Sequence, residues 1–288
     1  MTINTRSENV GGLLVTYNPV INSFKEVLDS VTKQVSILII IDNGSANIDD
    51  LIHLCSNPSV RVIRNQNNFG IAKAMNLGVA ELKKVSKVEW VLLLDHDTIL
   101  QDGYVSILID KLSLSPFRPE QIWIVRGIEH YVGKSATKER NFVSKKINGA
   151  ILSGSLVRME ALNNIAFREE FLIDFVDADF YREIRKSKHL AVCFNNVFMT
   201  HSLGKTIDFK GRPTTYHDSS RVYLATRNGT VLILEGDIDF RLLWSMIVSV
   251  FPTIYVEGVN RAVSRFLKGI WDGLMMRIHN KNFRQVEI

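Results

Sequence analysis

The sequence has few cysteines and no apolar run long enough to cross a membrane. Its two cysteines, Cys55 and Cys193, lie far apart and form no C-x-x-C pair. This argues against a disulfide framework and a cysteine zinc site, and favours a reducing compartment. The longest uncharged apolar stretch, 242–256, is shorter than the ~18 residues of a spanning helix, and Pro252 interrupts it. The first residues lack a signal-peptide pattern, so we expect a cytoplasmic protein.

Two common nucleotide-binding motifs are also missing. No G-x-G-x-x-G follows the first predicted strand, which counts against a dinucleotide-binding fold, and no G-x-x-x-x-G-K-[ST] occurs, which counts against a P-loop ATPase. The chain is 46% hydrophobic and 23% charged, so we expect a globular protein. Its net charge of +5 includes an excess of Lys and Arg after Glu257, which suits an anionic partner.

A strand, a polar turn and a helix recur about every 25 residues in the first third of the chain, as in βαβ units. Apolar runs at 10–15, 35–41, 60–63 and 88–94 predict strands. Apolar residues at helical spacing follow the first and third, and a short helix is predicted around 48–54 after the second. This pattern predicts an α/β, Rossmann-like fold with a mostly parallel central sheet flanked by helices. From about residue 216 onwards the pattern is helical.

The fourth predicted strand ends in two carboxylates, Asp95 and Asp97, separated by one residue. Ligands of open α/β sheets bind beyond the carboxyl ends of the strands. Two carboxylates there suit a hard divalent cation that carries substrate phosphates, although a short Asp-x-Asp also occurs in solvated turns. Tyr17 and Asp42 follow two of the earlier strands, so a nucleotide site along this edge is the favoured interpretation.

Three acids lie among apolar residues at 174–179. Buried carboxylates cost several kcal/mol unless they are paired or bind a metal, so these acids either serve a site or cap the helix that follows. The polar segment 129–146 predicts a mobile loop over the site. The segment 149–155 predicts a strand with close backbone approach at its glycines.

The last long predicted helix is amphipathic. Its basic residues Arg261, Arg265 and Lys268 fall opposite an apolar face. Either this helix packs on the body with a solvated basic rim, or it attaches to an anionic membrane surface or forms a homodimer. The apolar residues of this face are Val263, Phe266, Leu267, Ile270 and Leu274.

Taken in order, the motifs resemble those of inverting glycosyltransferases of family 2, which have the GT-A fold. The bacterial rhamnosyltransferases that build surface polysaccharides such as O-antigen are the most similar members. The resemblance covers roughly residues 10–204. It rests on VTYNP (15–19), IDNGS (41–45), NNFGIA (67–72) with Asn76 and Gly78, LDHD (94–97), SG (153–154), DFVDADF (174–180) and HSLG (201–204).

The resemblance implies a GT-A catalytic domain over 1–205 and a C-terminal helical region over 206–288. A nucleotide-sugar half would end near residue 100 and an acceptor half would begin near 101. The donor would be held by five residues with distinct roles. These are Tyr17 at the base, Asp42 at the pyrimidine ring, Asn68 and Lys73 near the sugar or diphosphate, and Asp95 at the ribose or the outer shell of the metal.

The resemblance also implies the catalytic chemistry. Asp97 would ligate Mg²⁺ or Mn²⁺, with Asp95 and His201 as further ligands, and Asp177 would be the catalytic base. Many relatives carry an acid directly before this Asp, where this chain has Val176.

The implied reaction is inverting transfer of a sugar, with dTDP-L-rhamnose as the expected donor and UDP-sugars as the alternative. The acceptor would be a hydroxyl of a lipid-linked oligosaccharide. The enzyme would be peripheral on the inner face of the bacterial cell membrane, attached to anionic lipid through its C-terminal helices. A homodimer is a further expectation, and nucleic acid is not an expected partner.

Two other interpretations stay open. The segment 92–98 also matches the strand-D-x-D-x-T motif of haloacid-dehalogenase-like phosphatases, in which Asp95 would be the nucleophile. The presence of Ile99 after this motif and its position on the fourth strand count against that enzyme class. A catalytically inactive nucleotide-binding subunit is the other alternative, and the presence of Asp97 and Asp177 counts against it. The Gly-rich first turn of sugar-phosphate nucleotidyltransferases is absent.

Overall fold

A computed structural model describes residues 7–131, 143–202, 206–209, 211–236 and 240–279. The chain divides into two compact units. The first comprises Met1–Glu170 with Asp177–Ser202, and the second comprises Phe171–Val176 with Leu203–Ile288. The assignment of a catalytic domain to 1–205 and a helical region to 206–288 stays a prediction.

The first unit is built on one mixed sheet flanked by helices. Its strands are β1 (Ser7–Thr16), β2 (Val35–Asp42), β3 (Val60–Arg64), β4 (Trp90–Asp95), β5 (Thr98–Leu100), β6 (Ile122–Tyr131), β7 (Ser144–Ile147), β8 (Ser155–Arg158) and β9 (Leu190–His201). Their order is β3-β2-β1-β4-β8-β6-β9-β5, and β7 pairs with β9. The helices are α1 (Ile21–Val31), α2 (Ile48–Leu54), α3 (Ile71–Leu82), α4 (Tyr104–Leu112), α5 (Met159–Asn164) and α6 (Val176–Lys186). The predicted α/β class is confirmed.

The strands β3, β2, β1 and β4 are consecutive in the sheet and pair in parallel, with β3 at the edge. Strand β2 is rich in β-branched residues and almost wholly buried, as expected for a strand covered on both faces. Helix α3 packs closely on β1 because Gly78 has no side chain. A Cβ at this position would lie 2.0 Å from Leu13 Cδ1. The pairing partners of Leu13 are Ile39 and Leu93, so β1 lies between β2 and β4.

Two predicted segments differ from the structure. The predicted strand at 149–155 is wrong, because β8 begins only at Ser155. Gly154 lies in a turn with a left-handed φ of +76°. Its N–H donates to Leu93 O in β4. The predicted loop at 129–146 is wrong at both ends, which belong to β6 and β7 and pair with β9. The middle of that segment lies outside the described residues.

The second unit holds a hairpin of β10 (Thr206–Phe209) and β11 (Arg212–Thr215), followed by α7 (Ser219–Leu234), α8 (Phe240–Glu257) and α9 (Val259–His279). Helix α9 packs closely on α7 through Gly269 and Gly273. A Cβ on either glycine would lie 2.7 Å from a carbonyl oxygen of α7. Within the described residues, no helix is long and apolar enough to span a membrane.

Asn43 holds the turns after β2 and β3 together. Its side-chain amide donates to Asn68 Oδ1 at 2.8 Å, and its Oδ1 accepts from Asn65 Nδ2 and from the Phe69 N–H, both at 3.1 Å. Its backbone N–H also donates to Thr16 O at the end of β1. The buried Asn43 therefore links the turns after β2 and β3 through its side chain and the end of β1 through its backbone.

We expect Asn43→Ala to lower the free energy of unfolding by about 2–3 kcal/mol, because three hydrogen bonds are lost and buried partners stay unsatisfied. Urea denaturation measures this change. The matched control is Asn57→Ala, which removes an exposed turn acceptor for Ser59 and should change stability by less than about 1 kcal/mol. Equal effects of the two substitutions would contradict the linking role of Asn43.

Candidate functional site

The carboxyl ends of β1, β2 and β4 meet at one edge of the sheet. Thr16 pairs with Asp42 in the register of β1 and β2, and Val15 pairs with Asp95 in the register of β1 and β4. Asp42 and Asp95, both predicted to bind the donor, therefore lie at the ends of the two strands that flank β1. Open α/β sheets bind ligands at such an edge.

The Asp42 carboxylate is fully buried and has four hydrogen-bond donors around it. Oδ1 accepts from Thr16 Oγ1 at 3.0 Å and from Ser45 Oγ, and Oδ2 accepts from the N–H groups of Gly44 and Ser45 at 3.2 and 3.0 Å. In this arrangement Asp42 shapes the turn after β2. A pyrimidine N–H could bind to it only by displacing or sharing one of these donors.

Tyr17 projects from the turn that follows β1, and 46% of its side chain is exposed. The next residue, Asn18, has a left-handed φ of +46°. Its N–H donates to Ser45 Oγ at 2.8 Å, and its Oδ1 accepts from the Ala46 N–H at 2.8 Å. These bonds connect the turns after β1 and β2 beside an accessible aromatic ring.

Asn68 lies in the turn before α3, and Lys73 lies in the first turn of that helix. Asn68 Oδ1 accepts from Asn43 and from the Gly70 N–H. The Lys73 Nζ lies 4.9 Å from the centroid of the Phe69 ring, so its charge is held over an aromatic face at the start of the helix. The role of both residues in binding the donor stays a prediction.

Asp95, Asp97 and His201 form a three-residue group. One ligand atom from each residue lies within 4.8 Å of the others. Asp95 ends β4, and the antiparallel pairing of β5 with β9 places His201 opposite Thr98. The N–H of Ser202 donates to Asp97 O at 3.3 Å, which further ties the end of β9 to the turn after β4.

The donor set fits Mg²⁺ or Mn²⁺. Asp97 Oδ1 is buried and accepts no hydrogen bond within the part of the chain that the structure describes, and it lies 3.3 Å from His201 Nδ1. Carboxylate oxygens suit both ions, and an imidazole nitrogen is a common additional ligand of the transition metal. Burial lowers the pKa of the neighbouring His96, so this imidazole adds little positive charge that would compete with a cation.

Two buried hydroxyl groups connect the candidate ligands. The N–H of Asp95 donates to Ser153 Oγ at 2.9 Å, Ser153 Oγ lies 2.7 Å from Thr98 Oγ1, and Thr98 Oγ1 lies 2.8 Å from His201 Nδ1. Both hydroxyl side chains are almost fully buried. Nδ1 is also the ring nitrogen that lies 3.3 Å from Asp97 Oδ1, so Thr98 fixes the orientation of the ring beside this carboxylate.

The three acids of 174–179 have separate environments. Asp174 pairs with Arg221 at 2.9 Å in the second unit. In the first unit, Asp179 is buried between Arg168 at 3.4 Å and Arg182 at 3.8 Å. Asp177 lies half-buried in the first turn of α6. The two outer acids therefore have structural ion pairs, and the role of Asp177 as the catalytic base stays a prediction.

Tyr131 lies beside His201, one of the three candidate metal ligands. Its ring centroid lies 6.1 Å from that of His201. Its pKa is raised first by burial, then by the charges of Glu129 and Asp177, whereas Arg126 opposes the rise. Asp177 also adds to the raised pKa of Tyr181, which is due mainly to burial. Tyr131 thus lies beside His201, and the charge of the predicted base contributes to its raised pKa.

The sequence analysis missed several residues of this site. Glu129 and Tyr131 were assigned to a loop, and Glu129 contacts the buried Arg126 at 2.7 Å. Thr98 carried no signal beyond its place after the two acids. Apolar residues do not alternate beyond Val125, so no local pattern indicated that β6 extends to Tyr131.

The structure brings together one subset of the predicted site residues. Asp95, Asp97 and His201 form the group described above, and Asp42 lies at the end of β2, which is separated from β4 by β1. The placement of Tyr17, Asn68, Lys73 and Asp177 in a single donor and acceptor site stays a prediction.

We expect Thr98→Val to weaken Mn²⁺ binding about 10- to 100-fold, because an isosteric side chain without a hydroxyl no longer orients His201. Isothermal titration calorimetry with Mn²⁺ measures the affinity. Thr32→Val is the control, because this hydroxyl bonds only to the α1 backbone at Leu28 O and should leave the affinity unchanged. An unaltered Mn²⁺ affinity of the Thr98 variant would contradict the orienting role.

Known proteins share both the sequence pattern and the fold. Residues 13–165, more than half of the chain, match the family model of glycosyl transferase family 2. The dTDP-rhamnosyl transferase RfbF of Shigella flexneri is 25% identical over 279 residues, which cover 91% of this chain and 93% of that protein.

A solved structure of GalNAc-T7 with UDP, GalNAc and Mn²⁺ has a TM-score of 0.55 and 12% sequence identity. The match covers 83% of this chain and 54% of that chain, so this chain spans about half the length of the solved protein. This likeness confirms the predicted GT-A fold. With the family model matched over both the strand-end turns and the paired aspartates, the chain belongs to the family 2 glycosyltransferases.

Proposed function

We propose that this glycosyltransferase transfers L-rhamnose from dTDP-L-rhamnose to a hydroxyl of a lipid-linked oligosaccharide, in surface polysaccharide synthesis. The observation that carries the reaction type is the Asp95, Asp97 and His201 group, with Asp177 in the first turn of α6 in the same unit. The choice of sugar is supported by the similarity to a dTDP-rhamnosyl transferase over nearly the whole chain.

The diphosphate leaving group determines what the metal-binding residues must do. Asp97, with Asp95 and His201, would hold Mg²⁺ or Mn²⁺, which when bound stabilises the negative charge that grows on the diphosphate. Thr98 orients the His201 side chain, and Ser153 accepts a hydrogen bond from the backbone of Asp95, before the donor arrives. Preorganised ligands need little rearrangement as the charge develops.

Asp177 acts on the acceptor. Its carboxylate takes the proton of the attacking hydroxyl, whose oxygen bonds to the anomeric carbon as the bond from that carbon to the diphosphate oxygen breaks. Direct displacement of this kind inverts the anomeric configuration. Asp179 cannot take over this proton, because its carboxylate is buried between two arginines.

The donor would lie along the strand-end turns. Tyr17 supplies an accessible ring for the base, and Asp42 binds the pyrimidine ring if Thr16 or Ser45 yields a hydrogen bond. Asn68 and Lys73 lie at the start of α3 and would contact the sugar or diphosphate, where the Lys73 ammonium offsets negative charge. A UDP-sugar is the alternative donor, since the same contacts serve uracil and thymine, and the structural neighbour was solved with UDP.

The catalytic domain of this proposal comprises 1–205, with the helical region 206–288 placing the enzyme on the inner face of the bacterial membrane. Peripheral attachment would bring the site close to a lipid-linked acceptor. Self-association through the same helices is the competing expectation.

We expect Asp177→Asn to lower the rate of sugar transfer about 10²–10⁴-fold, because the amide cannot accept the proton. Binding of the nucleotide sugar, measured by calorimetry, should be unchanged. Asp110→Asn on the exposed side of α4 is the matched control and should retain full transfer. Transfer by the Asp177 variant near the unmodified rate would reject Asp177 as the base.

We expect dTDP-L-rhamnose with Mn²⁺ to raise the unfolding temperature more than any UDP-sugar, because bound ligand stabilises the folded state according to its affinity. Differential scanning fluorimetry across a nucleotide-sugar panel measures the shift. A larger shift with a UDP-sugar would reject the rhamnosyl donor and keep the glycosyltransferase. The same panel without metal ion is the control.

A further inference from the structure

Helix α8 exposes an unusually apolar face. Its 18 residues contain a continuous uncharged stretch from Leu242 to Val256. The large apolar side chains at this surface recur at intervals of three or four residues, so they lie along one side of the helix. They are Trp244, Ile247, Val248, Phe251 and Tyr255.

The opposite side of α8 already serves the fold. Met246 and Val250 are buried, and Met246 Sδ lies where a Cβ on Gly229 of α7 would be. Thr253 Oγ1 donates to His217 O at 2.7 Å. The helix therefore has two apolar sides, one of which packs within the second unit. A water-soluble surface helix needs only one.

Helix α9 does not present the single apolar face that its sequence predicts. The apolar face inferred there is divided, because Phe266 packs with buried residues whereas Val263 and Leu267 are exposed. Trp271 is exposed on the same side as Leu267. The basic residues Arg261, Arg265 and Lys268 are all exposed, although Arg261 pairs with Glu257 at 3.2 Å and Lys268 with Asp272 at 2.8 Å. Helix α9 still carries four Lys or Arg against one Asp.

We propose that the exposed face of α8, together with the exposed apolar residues of α9, is the docking surface of this enzyme for an anionic lipid bilayer. This inference rests on the proposed function, which places the acceptor in a membrane. It deepens that function by naming α8, rather than the basic helix α9, as the element that enters the interfacial zone.

The composition of this face favours lipid as its occupant. Trp and Tyr are the residues that settle at the boundary between head groups and acyl chains, and α8 contributes one of each. The basic side chains of α9 complement anionic head groups. A second copy of the chain would bring the same positive excess to the contact, and like charges oppose such association.

The dimensions of α8 favour lying on the membrane rather than crossing it. No described helix qualifies as a membrane span, and Pro252 interrupts the apolar stretch of α8. An apolar side about three turns long can be buried to a depth of about 5–10 Å at the lipid boundary. The bilayer would then cover the side chains that the second unit leaves in water.

Intrinsic fluorescence offers a direct readout in the full-length protein. Of the four tryptophans, Trp90 and Trp123 are buried in the first unit, with 6% and 4% exposure, whereas Trp244 and Trp271 are 59% and 61% exposed. Vesicles of phosphatidylethanolamine and phosphatidylglycerol should shift the emission to shorter wavelength. In Trp271→Phe, the remaining exposed tryptophan is Trp244, so quenching of this variant by brominated lipid reports contact of α8 with acyl chains.

The test variant is the double substitution Ile247→Ser and Phe251→Ser. We expect it to sediment with these vesicles about tenfold to a hundredfold less strongly, because two large apolar side chains no longer enter the lipid. The matched control is Ile52→Ser with Leu114→Ser, which changes two exposed apolar residues of the first unit. This control should bind vesicles as the unmodified protein does. Circular dichroism checks that both variants are folded.

Three outcomes would overturn the proposal. One is equal vesicle binding by the test and control variants, and another is the absence of brominated-lipid quenching in Trp271→Phe. The third is a lipid-free dimer, seen by analytical ultracentrifugation, that the α8 substitutions convert to monomers, since this would assign the face to a second copy. Vesicles of phosphatidylcholine alone should bind more weakly than anionic ones.

Failure of the proposed function is measured separately. Metal-dependent release of dTDP from dTDP-L-rhamnose, without an acceptor, does not involve the membrane. We expect the α8 variant to retain this activity. Absence of the activity from the unmodified protein would reject the donor, yet it would leave the vesicle result valid for the docking surface.

Discussion

Parallel pairing of β1 with both β2 and β4 is the constraint on which the candidate site depends. It fixes Thr16 opposite Asp42 and Val15 opposite Asp95, so polar residues separated by tens of positions meet at one edge. The strands themselves are apolar and covered, and their carboxyl ends are the first places where the chain can turn and carry polar groups. Asn43 then links the adjoining turns, which makes the edge a preformed surface rather than a set of independent loops.

A second pairing, between β5 and β9, completes the metal group. It brings His201 to Thr98 across 103 positions of sequence, and it converts a pair of aspartates into a three-residue site. The buried hydroxyls of Thr98 and Ser153 hold this arrangement by hydrogen bonds in a region without solvent. Such bonds are strong where water cannot compete, so the orientation of His201 is set by the fold before any ion binds.

The acid-rich segment shows how neighbouring residues acquire different roles. Arg221 neutralises Asp174, and Arg168 and Arg182 surround Asp179, so burial of these two carboxylates is compensated. The charge of Asp177 contributes to the raised pKa of Tyr131 and of Tyr181. The sequence pattern allowed these acids either to serve a site or to cap the following helix. The ion pairs account for the burial of Asp174 and Asp179, and the role of Asp177 as the base stays a prediction.

Local patterns determined the elements from β1 to β4, including α2 (Ile48–Leu54), but not the short strand β5 (Thr98–Leu100). The period of apolar residues and the turn residues are local properties, so the α/β class and the paired aspartates could be predicted. The extension of β6 to Tyr131, the turn at Gly154 and the contacts of Thr98 could not, because each depends on pairing with distant strands. The exposed face of α8 could not be predicted either, because an apolar run alone does not show which side of a helix the fold will bury.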